Sequence, residues 1–152
     1  MIDLYKDLII DHGLNPRNKY IIKNYTHTAK GFNHFCGDSF TVYLTIINKK
    51  IKNISFDGKG CSISTASASI MTISAKNKSI LYFEKTFDYL KNLLNNKDIN
   101  EEYTNINILS NIKNFPSRIK CATLIWHTMH DAIKNGKINI LTTDGNKIND
   151  WF

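Results

Sequence analysis

A strand hairpin followed directly by a helix of small residues constrains the fold more than any other feature of this sequence. Residues 40–47 (FTVYLTII) alternate apolar and polar side chains, which predicts a strand with one buried face. Residues 48–50 predict a turn, and residues 51–57 the antiparallel return strand. A glycine-rich break at 57–60 ends that strand, and residues 61–75 predict a helix whose serines and alanines permit close backbone packing.

The spacing of apolar residues predicts three more helices, at residues 2–12, 84–95 and 116–135. Gly13 and the Asn15-Pro16 pair end the first, and the third begins at Pro116-Ser117 and ends at Asn135-Gly136. Weaker signals predict a strand around Tyr20–Ile22 and some helix around Ile106–Ile112. Together these elements predict an α+β fold, in which a small antiparallel three-stranded sheet packs against helices.

Length and composition indicate one ordinary globular domain covering residues 1–152. The chain has 42% hydrophobic and 22% charged residues, which is too apolar for intrinsic disorder. No apolar run approaches the roughly 20 residues of a membrane-spanning helix. Acids and bases alternate at the N-terminus, without the apolar core of a signal peptide. We therefore expect a soluble, cytoplasmic protein without a membrane partner.

The net charge of +7 has two interpretations. One is binding to nucleic acid or another anionic surface. The other is codon bias in an A/T-rich genome, because the chain has 23 Ile, 19 Asn and 18 Lys but only 2 Arg and 1 Val. The lysines are scattered, and arginine, which binds phosphate with two parallel hydrogen bonds, is nearly absent. We favour the second interpretation and expect no nucleic-acid partner.

Three cysteines lie where predicted elements begin. Cys36 follows Phe35 in a loop before the first strand of the hairpin, Cys61 opens the small-residue helix, and Cys121 lies near the start of the last helix. Helix N-termini favour the thiolate form of cysteine. An odd number of cysteines argues against a disulfide framework. A single cysteine is often a buried core residue. Three cysteines in loops or near helix starts together favour a metal-binding or reactive role.

These cysteines and one acid suggest a zinc site. Cys36, Asp38, Cys61 and Cys121 would supply the four ligands that tetrahedral zinc prefers. Four anionic ligands around Zn²⁺ would give the site a net charge of −2, which nearby cations would offset. The nearest in sequence are Lys59, Arg118 and Lys120. Such a site would join three distant segments, so metal binding should stabilise the fold.

Other polar residues have weaker functional interpretations. Arg118 either supports the chemistry of the site or is a solvated cation at a helix start. His127 and His130 are three residues apart on the last helix and could form a second metal site, although such pairs are usually surface residues. The serines of the small-residue helix are expected to serve tight packing.

At these residues the sequence resembles the SufU branch of the IscU/NifU N-terminal family of iron–sulfur cluster assembly proteins, over roughly residues 2–136. The matching motifs include the Asn-Pro-Arg-Asn turn at 15–18 and the three segments that carry the cysteines. Lys120 stands where IscU proteins have a histidine before the last cysteine. The 60-residue interval from Cys61 to Cys121 resembles SufU proteins with an insertion, here within about 86–112. His34 replaces the proline usual in the first loop and is a spare candidate ligand.

The resemblance implies a function. SufU-like proteins bind zinc through ligands that correspond to Cys36, Asp38, Cys61 and Cys121. They accept persulfide sulfur from a pyridoxal-phosphate cysteine desulfurase of the SufS type and pass it to a downstream iron–sulfur assembly scaffold. In that picture Cys36 leaves the zinc, a desulfurase histidine replaces it, and the freed thiolate attacks the outer persulfide sulfur. Arg118, where SufU-like chains also have an arginine, would offset the charge of the site or guide the persulfide.

Two alternative functions remain open. The same four ligands suit a [2Fe–2S] cluster, which would make the chain a scaffold of the IscU type rather than a sulfurtransferase. A structural zinc module that binds RNA is the third hypothesis, and only the net charge motivates it. Lys120 and the long interval favour the zinc-dependent sulfurtransferase.

Overall fold

A computed structural model describes residues 2–136 and 140–142. The chain runs α1 (Ile2–Leu14), β1 (His27–Asn33), β2 (Asp38–Ile47), β3 (Lys50–Lys59), α2 (Ser62–Ala75), α3 (Ile80–Leu94), α4 (Thr104–Asn107), α5 (Pro116–Asn135) and β4 (Ile140–Thr142). Short 3-10 turns cover Glu101–Tyr103 and Ser110–Asn114. None of the helices within these residues is long and apolar enough to cross a membrane.

The sheet has the strand order β3-β2-β1-β4. β1, β2 and β3 are antiparallel, which confirms the predicted α+β fold with a three-stranded antiparallel sheet. β4 adds three residues parallel to β1 at the edge. Along β2, Phe40, Val42 and Leu44 are fully or almost fully buried. This alternation is the one that the sequence predicts for a half-buried strand.

The position of the first strand differs from the prediction. Residues 20–22 are not a strand, and β1 lies at His27–Asn33 instead. The β1 sequence HTAKGFN shows little apolar alternation, since its inward positions include Ala29 and Gly31. A side chain at Gly31 would overlap Thr128 of α5. The absence of a side chain lets the helix approach the sheet closely, and hydrophobic periodicity therefore does not reveal this strand.

The helices follow the predictions closely, with small differences at their ends. α3 begins at Ile80, earlier than predicted, because the Ser79 hydroxyl accepts a hydrogen bond from Tyr82 N and caps the helix. α5 begins at Pro116 and ends before Gly136, which has a left-handed φ of 62°. The weak signal near 106–112 corresponds to α4 and a 3-10 turn rather than one helix.

α2 is buried along most of its length and joins the other layers through side-chain hydroxyls. The Ser67 hydroxyl donates to Ala122 O and accepts from the Trp126 indole, so it links α2 to α5. The Ser69 hydroxyl accepts from Arg17 N and contacts His12 Nδ1 at 2.8 Å. Small hydroxyl residues on this helix therefore combine close packing with hydrogen bonding in the core.

Candidate metal centre

The first two candidate ligands lie on a hairpin turn and directly after it. Asn33 and Asp38 are cross-strand partners at the ends of β1 and β2. The turn between them, residues 34–37, carries Cys36, and Gly37 has a φ of 69° there. Cys36 therefore lies on a loop, whereas Asp38 is held in the sheet. The two side chains are close because only one residue separates them.

Cys61 is the N-cap of α2. Its side chain accepts a hydrogen bond from Ser64 N, and its own N–H donates to Asp38 Oδ1 at 2.9 Å. The Ser64 hydroxyl donates to Asp38 Oδ2 at 2.6 Å and lies 3.1 Å from Cys61 Sγ. The start of α2 therefore holds both carboxylate oxygens of Asp38, a side chain that is only 1% exposed.

Cys121 comes from α5 and is fully buried. Its Sγ lies 3.0 Å from Cys36 Sγ, although 85 residues separate the two cysteines. The Asn33 amide contributes a longer contact, from Nδ2 to Cys121 Sγ at 3.9 Å. The oxygen of the same Asn33 amide accepts a hydrogen bond from Phe35 N, and this bond fixes the beginning of the loop that carries Cys36.

Three of the four predicted ligands already form a compact group. One ligand atom each from Cys36, Asp38 and Cys121 lies within 4.8 Å of the others, in the part of the chain that the structure describes. Cys61 borders this group, and its N–H donates to Asp38 Oδ1. Two or three thiolates with one carboxylate fit a borderline-soft cation such as zinc, and also iron.

Hydrogen bonding shifts the pKa values of the Cys61 and Cys121 thiols in opposite directions. A hydrogen bond with Cys121 lowers the pKa of Cys61 to about 5, and contacts with Ser64 contribute in the same direction. The same bond with Cys61, together with burial, raises the pKa of Cys121 well above its usual range. We therefore expect Cys61 to lose its proton before Cys121 does.

Of the predicted supporting residues, Arg118 and Lys120 lie at or beside the site, and His34 does not join it. Arg118 lies at the site, where a hydrogen bond to Cys121 raises its pKa. The Lys120 ammonium lies 4.6 Å from the centre of the Phe35 ring, beside the Cys36 loop. His34 is exposed and stacks on Phe32, and it does not join the ligand group.

His127 and His130 lie elsewhere on α5. Both rings pack against Phe87 in an edge-to-face arrangement, and both line a pocket with Glu84, Asp88 and Lys91. Among the described residues, neither histidine belongs to a group of three ligands that could hold a metal. The structure therefore gives no support to a second metal site here.

Sequence reasoning missed the roles of Ser64 and Asn33. Packing explains part of the serine pattern, because Ser64, Ser67 and Ser69 are buried. The Ser64 hydroxyl, however, contacts two candidate ligands, Asp38 and Cys61. Its position three residues after a helix-capping side chain is a usable sequence signal for such contacts. For Asn33 no comparable local signal exists, since its contact with Cys121 spans 88 residues.

Comparison with known proteins identifies the family. The NifU-like N-terminal domain family matches residues 4–140. The chain belongs to this family. The predicted SufU-type membership of the IscU/NifU family is confirmed by a relative 33% identical over 132 residues, the "zinc-dependent sulfurtransferase SufU" of Bacillus subtilis strain 168, with 86% of this chain and 89% of that protein aligned.

Proteins named as scaffolds are about as similar. The "iron-sulfur cluster assembly scaffold protein IscU" of Thermotoga maritima is 30% identical, with 86% of this chain and 93% of that protein aligned. A crystal structure titled as a putative iron–sulfur cluster assembly scaffold protein for the SUF system, from Fervidobacterium islandicum AW-1, superposes with a TM-score of 0.78 at 29% identity. That alignment covers 84% of this chain and 94% of the solved one.

Proposed function

We propose that this protein is a zinc-dependent sulfurtransferase, which accepts persulfide sulfur on Cys36 from a SufS-type cysteine desulfurase for iron–sulfur cluster assembly. The observation that carries the proposal is the division of the candidate site into a loop and a fixed part. Cys36 lies on the 34–37 turn and is half-buried, whereas Asp38, Cys61 and Cys121 lie on or at the ends of regular elements. Only Cys36 can leave without disturbing a strand or helix.

The ligand set of the proposal is Cys36, Asp38, Cys61 and Cys121. Bound zinc would hold these thiols deprotonated and keep them from reacting until a partner is present. Because α2 holds the Asp38 carboxylate and α5 holds Cys121, these residues would retain the ion while Cys36 moves. Arg118, which is hydrogen-bonded to Cys121, supplies a positive charge beside the thiols and would attract an anionic persulfide.

The transfer step follows from thiol–disulfide chemistry. The Cys36 thiolate attacks the outer sulfur of the desulfurase persulfide, and a new S–S bond forms on Cys36. The S–S bond of the desulfurase breaks at the same time, and its cysteine leaves as a thiolate. The sulfur then passes from Cys36 to a downstream iron–sulfur assembly scaffold.

A scaffold function is the second candidate, and the IscU relatives at 30% identity favour it. The same four residues would then hold a [2Fe–2S] cluster, because thiolates bind iron as well as zinc. In that case sulfide and iron would accumulate on the protein. In the first case only a persulfide would form.

The test is sulfur transfer in a purified system. The zinc-loaded protein is mixed with a SufS-type desulfurase and L-cysteine, and peptide mass spectrometry locates the added sulfur. We expect it on Cys36, with desulfurase turnover stimulated, and we expect Cys36→Ala to abolish both while the protein stays folded. Sulfur on Cys61 or Cys121, or stimulation that persists in Cys36→Ala, would refute the assignment of Cys36.

A further inference from the structure

We propose that Ser64 is a positioning residue that orients the Asp38 carboxylate toward the metal centre, an inference that rests on the metal site of the proposed function. Its hydroxyl donates to Asp38 Oδ2 at 2.6 Å. The other carboxylate oxygen accepts from Cys61 N at 2.9 Å. Two donors from one helix turn therefore determine the direction of this carboxylate.

Burial makes these two hydrogen bonds decisive. Asp38 is 1% exposed, and its carboxylate forms no ion pair with any residue that the structure describes. A buried carboxylate without such donors is strongly unfavourable. A methyl group on Gly60 would come within 2.8 Å of Asp38 Oδ1, so the backbone also leaves room for the carboxylate at this place.

Ser64 also touches a second candidate ligand. Its Oγ lies 3.1 Å from Cys61 Sγ, in addition to its shorter bond to Asp38. A hydroxyl carries one proton, and the shorter 2.6 Å distance makes the carboxylate its main acceptor. Ser64 therefore acts on the metal centre mainly through Asp38.

Removal of the hydroxyl has a defined expected effect. In Ser64→Ala, Asp38 Oδ2 loses the donor that orients it, and the carboxylate can turn away from the thiols. Loss of such an outer partner typically weakens metal binding about 10- to 100-fold. We expect a loss of this size in zinc affinity, and faster zinc release to a chelator. Ser64→Thr, which keeps the hydroxyl, should restore most of the affinity.

The experiment compares four proteins in parallel. Zinc affinity is measured by competition with a chromophoric chelator for the parent, Ser64→Ala, Ser64→Thr and the control Ser62→Ala, whose side chain is exposed on the same helix turn. Co²⁺ spectra report the ligands: in Ser64→Ala the ligand-field bands should shift, as in Asp38→Ala, while thiolate-to-cobalt absorption stays. Ser62→Ala should match the parent in both measurements.

A double mutant separates positioning from general destabilisation. If Ser64 acts through Asp38, Ser64→Ala should have little further effect on zinc affinity in an Asp38→Ala background. Parent-like zinc affinity and cobalt spectrum in Ser64→Ala, or an equal loss in both backgrounds, would overturn the inference. A parent that binds neither metal would refute the metal centre together with this role. A parent that binds zinc but accepts no sulfur would refute only the proposed function.

Discussion

Cys61 and Cys121 lie at different depths in their helices, and this difference decides which of them is reactive. Cys61 caps α2, where the Ser64 N–H donates to its sulfur and the Ser64 hydroxyl contacts it. Cys121 lies inside α5, after the first turn, and is fully buried. Helix N-termini favour a thiolate, and an apolar interior disfavours one.

Alkylation of the metal-free protein tests this difference. Because the pKa of Cys61 is lowered to about 5, its thiolate fraction should stay constant from pH 8 to pH 6 and fall only near pH 5. Mass spectrometry after brief iodoacetamide treatment should find Cys61 labelled at pH 6 and Cys121 unlabelled. In denaturing urea the labelling of both cysteines should instead rise only as the pH approaches about 8.5, the pKa of an ordinary thiol. Labelling of Cys61 that already halves near pH 8 in the folded protein would contradict the prediction.

The residues of the candidate site differ in how far the sequence alone could identify them. Cysteine and aspartate beside glycines, or cysteine near a helix start, have a direct chemical meaning, so Cys36, Asp38, Cys61 and Cys121 could be named in advance as ligand candidates. Three of these four form the compact group in the structure. Serine is common in tightly packed helices, and the contact of Ser64 with Asp38 exists only after β2 and α2 have packed together.

At the level of elements, the hairpin and α5 were predictable because their periodicity and end signals agree. β1 was not predictable, because its inward positions need small residues where α5 packs closely against the strand. Its own sequence therefore lacks the apolar alternation of a half-buried strand. At Gly31 a Cβ atom would overlap Thr128 Oγ1 and lie 3.2 Å from Leu124 Cδ1. The strand therefore depends on a tertiary contact that no local pattern records.

Substitution at this contact should show the dependence directly. Gly31→Ala is expected to lower the free energy of unfolding by about 1–3 kcal/mol, the usual cost of overpacking a core contact. Thr128→Ala removes the overlapping hydroxyl, so the double variant should lose clearly less than the sum of the two single variants. Urea unfolding of the three variants measures both quantities. Additive losses would show that the overlap with Thr128 is not what excludes a side chain.

The docking of α1 on α2 should depend on pH. Burial lowers the pKa of His12, which is 6% exposed and contacts Ser69 Oγ through Nδ1. Below pH 6.5 the unfolded chain binds a proton that the folded ring resists. The free energy of unfolding should therefore fall as the pH drops through 6.5 toward the lowered pKa.

The variant His12→Asn isolates this contribution. Asparagine keeps a polar atom near the position of Nδ1 but does not titrate. Urea unfolding at pH 7.5 and 5.5 should show a smaller pH-dependent loss in His12→Asn than in the parent, while His130 remains in both proteins. An identical loss in the two proteins would assign the pH dependence to other groups.

Across the whole molecule, the candidate site lies at one end of the β1–β2 hairpin beside exposed apolar side chains. Phe35, adjacent to Cys36, is 72% exposed, and Phe115, just before α5, is 59% exposed. Phe115 also lines a groove of about 470 Å³ between α1 and the start of α2. Exposed apolar surface beside the candidate site suits the docking of a partner protein that must reach Cys36. The single-domain organisation and the insertion at about 86–112 remain predictions.

Replacement of the exposed ring should weaken the partner complex without affecting the metal. We expect Phe35→Ala to raise the concentration of this protein needed for half-maximal desulfurase stimulation by about tenfold, since a buried aromatic anchor is typically worth 1–2 kcal/mol or more. Zinc content should not change. The control is Ile47→Ala, at the opposite end of β2, about 30 Å away for a ten-residue strand, and 49% exposed in the parent. Equal behaviour of the two variants would exclude Phe35 from the interface.

The identity of the bound metal tests the central proposal most directly. The protein would be purified without added metal under anaerobic conditions, and its metal content and visible spectrum would be measured together. The proposed sulfurtransferase predicts about one zinc per chain and no absorption from iron–sulfur charge transfer. Iron with a matching amount of sulfide and a brown spectrum would contradict it and identify the chain as a cluster scaffold.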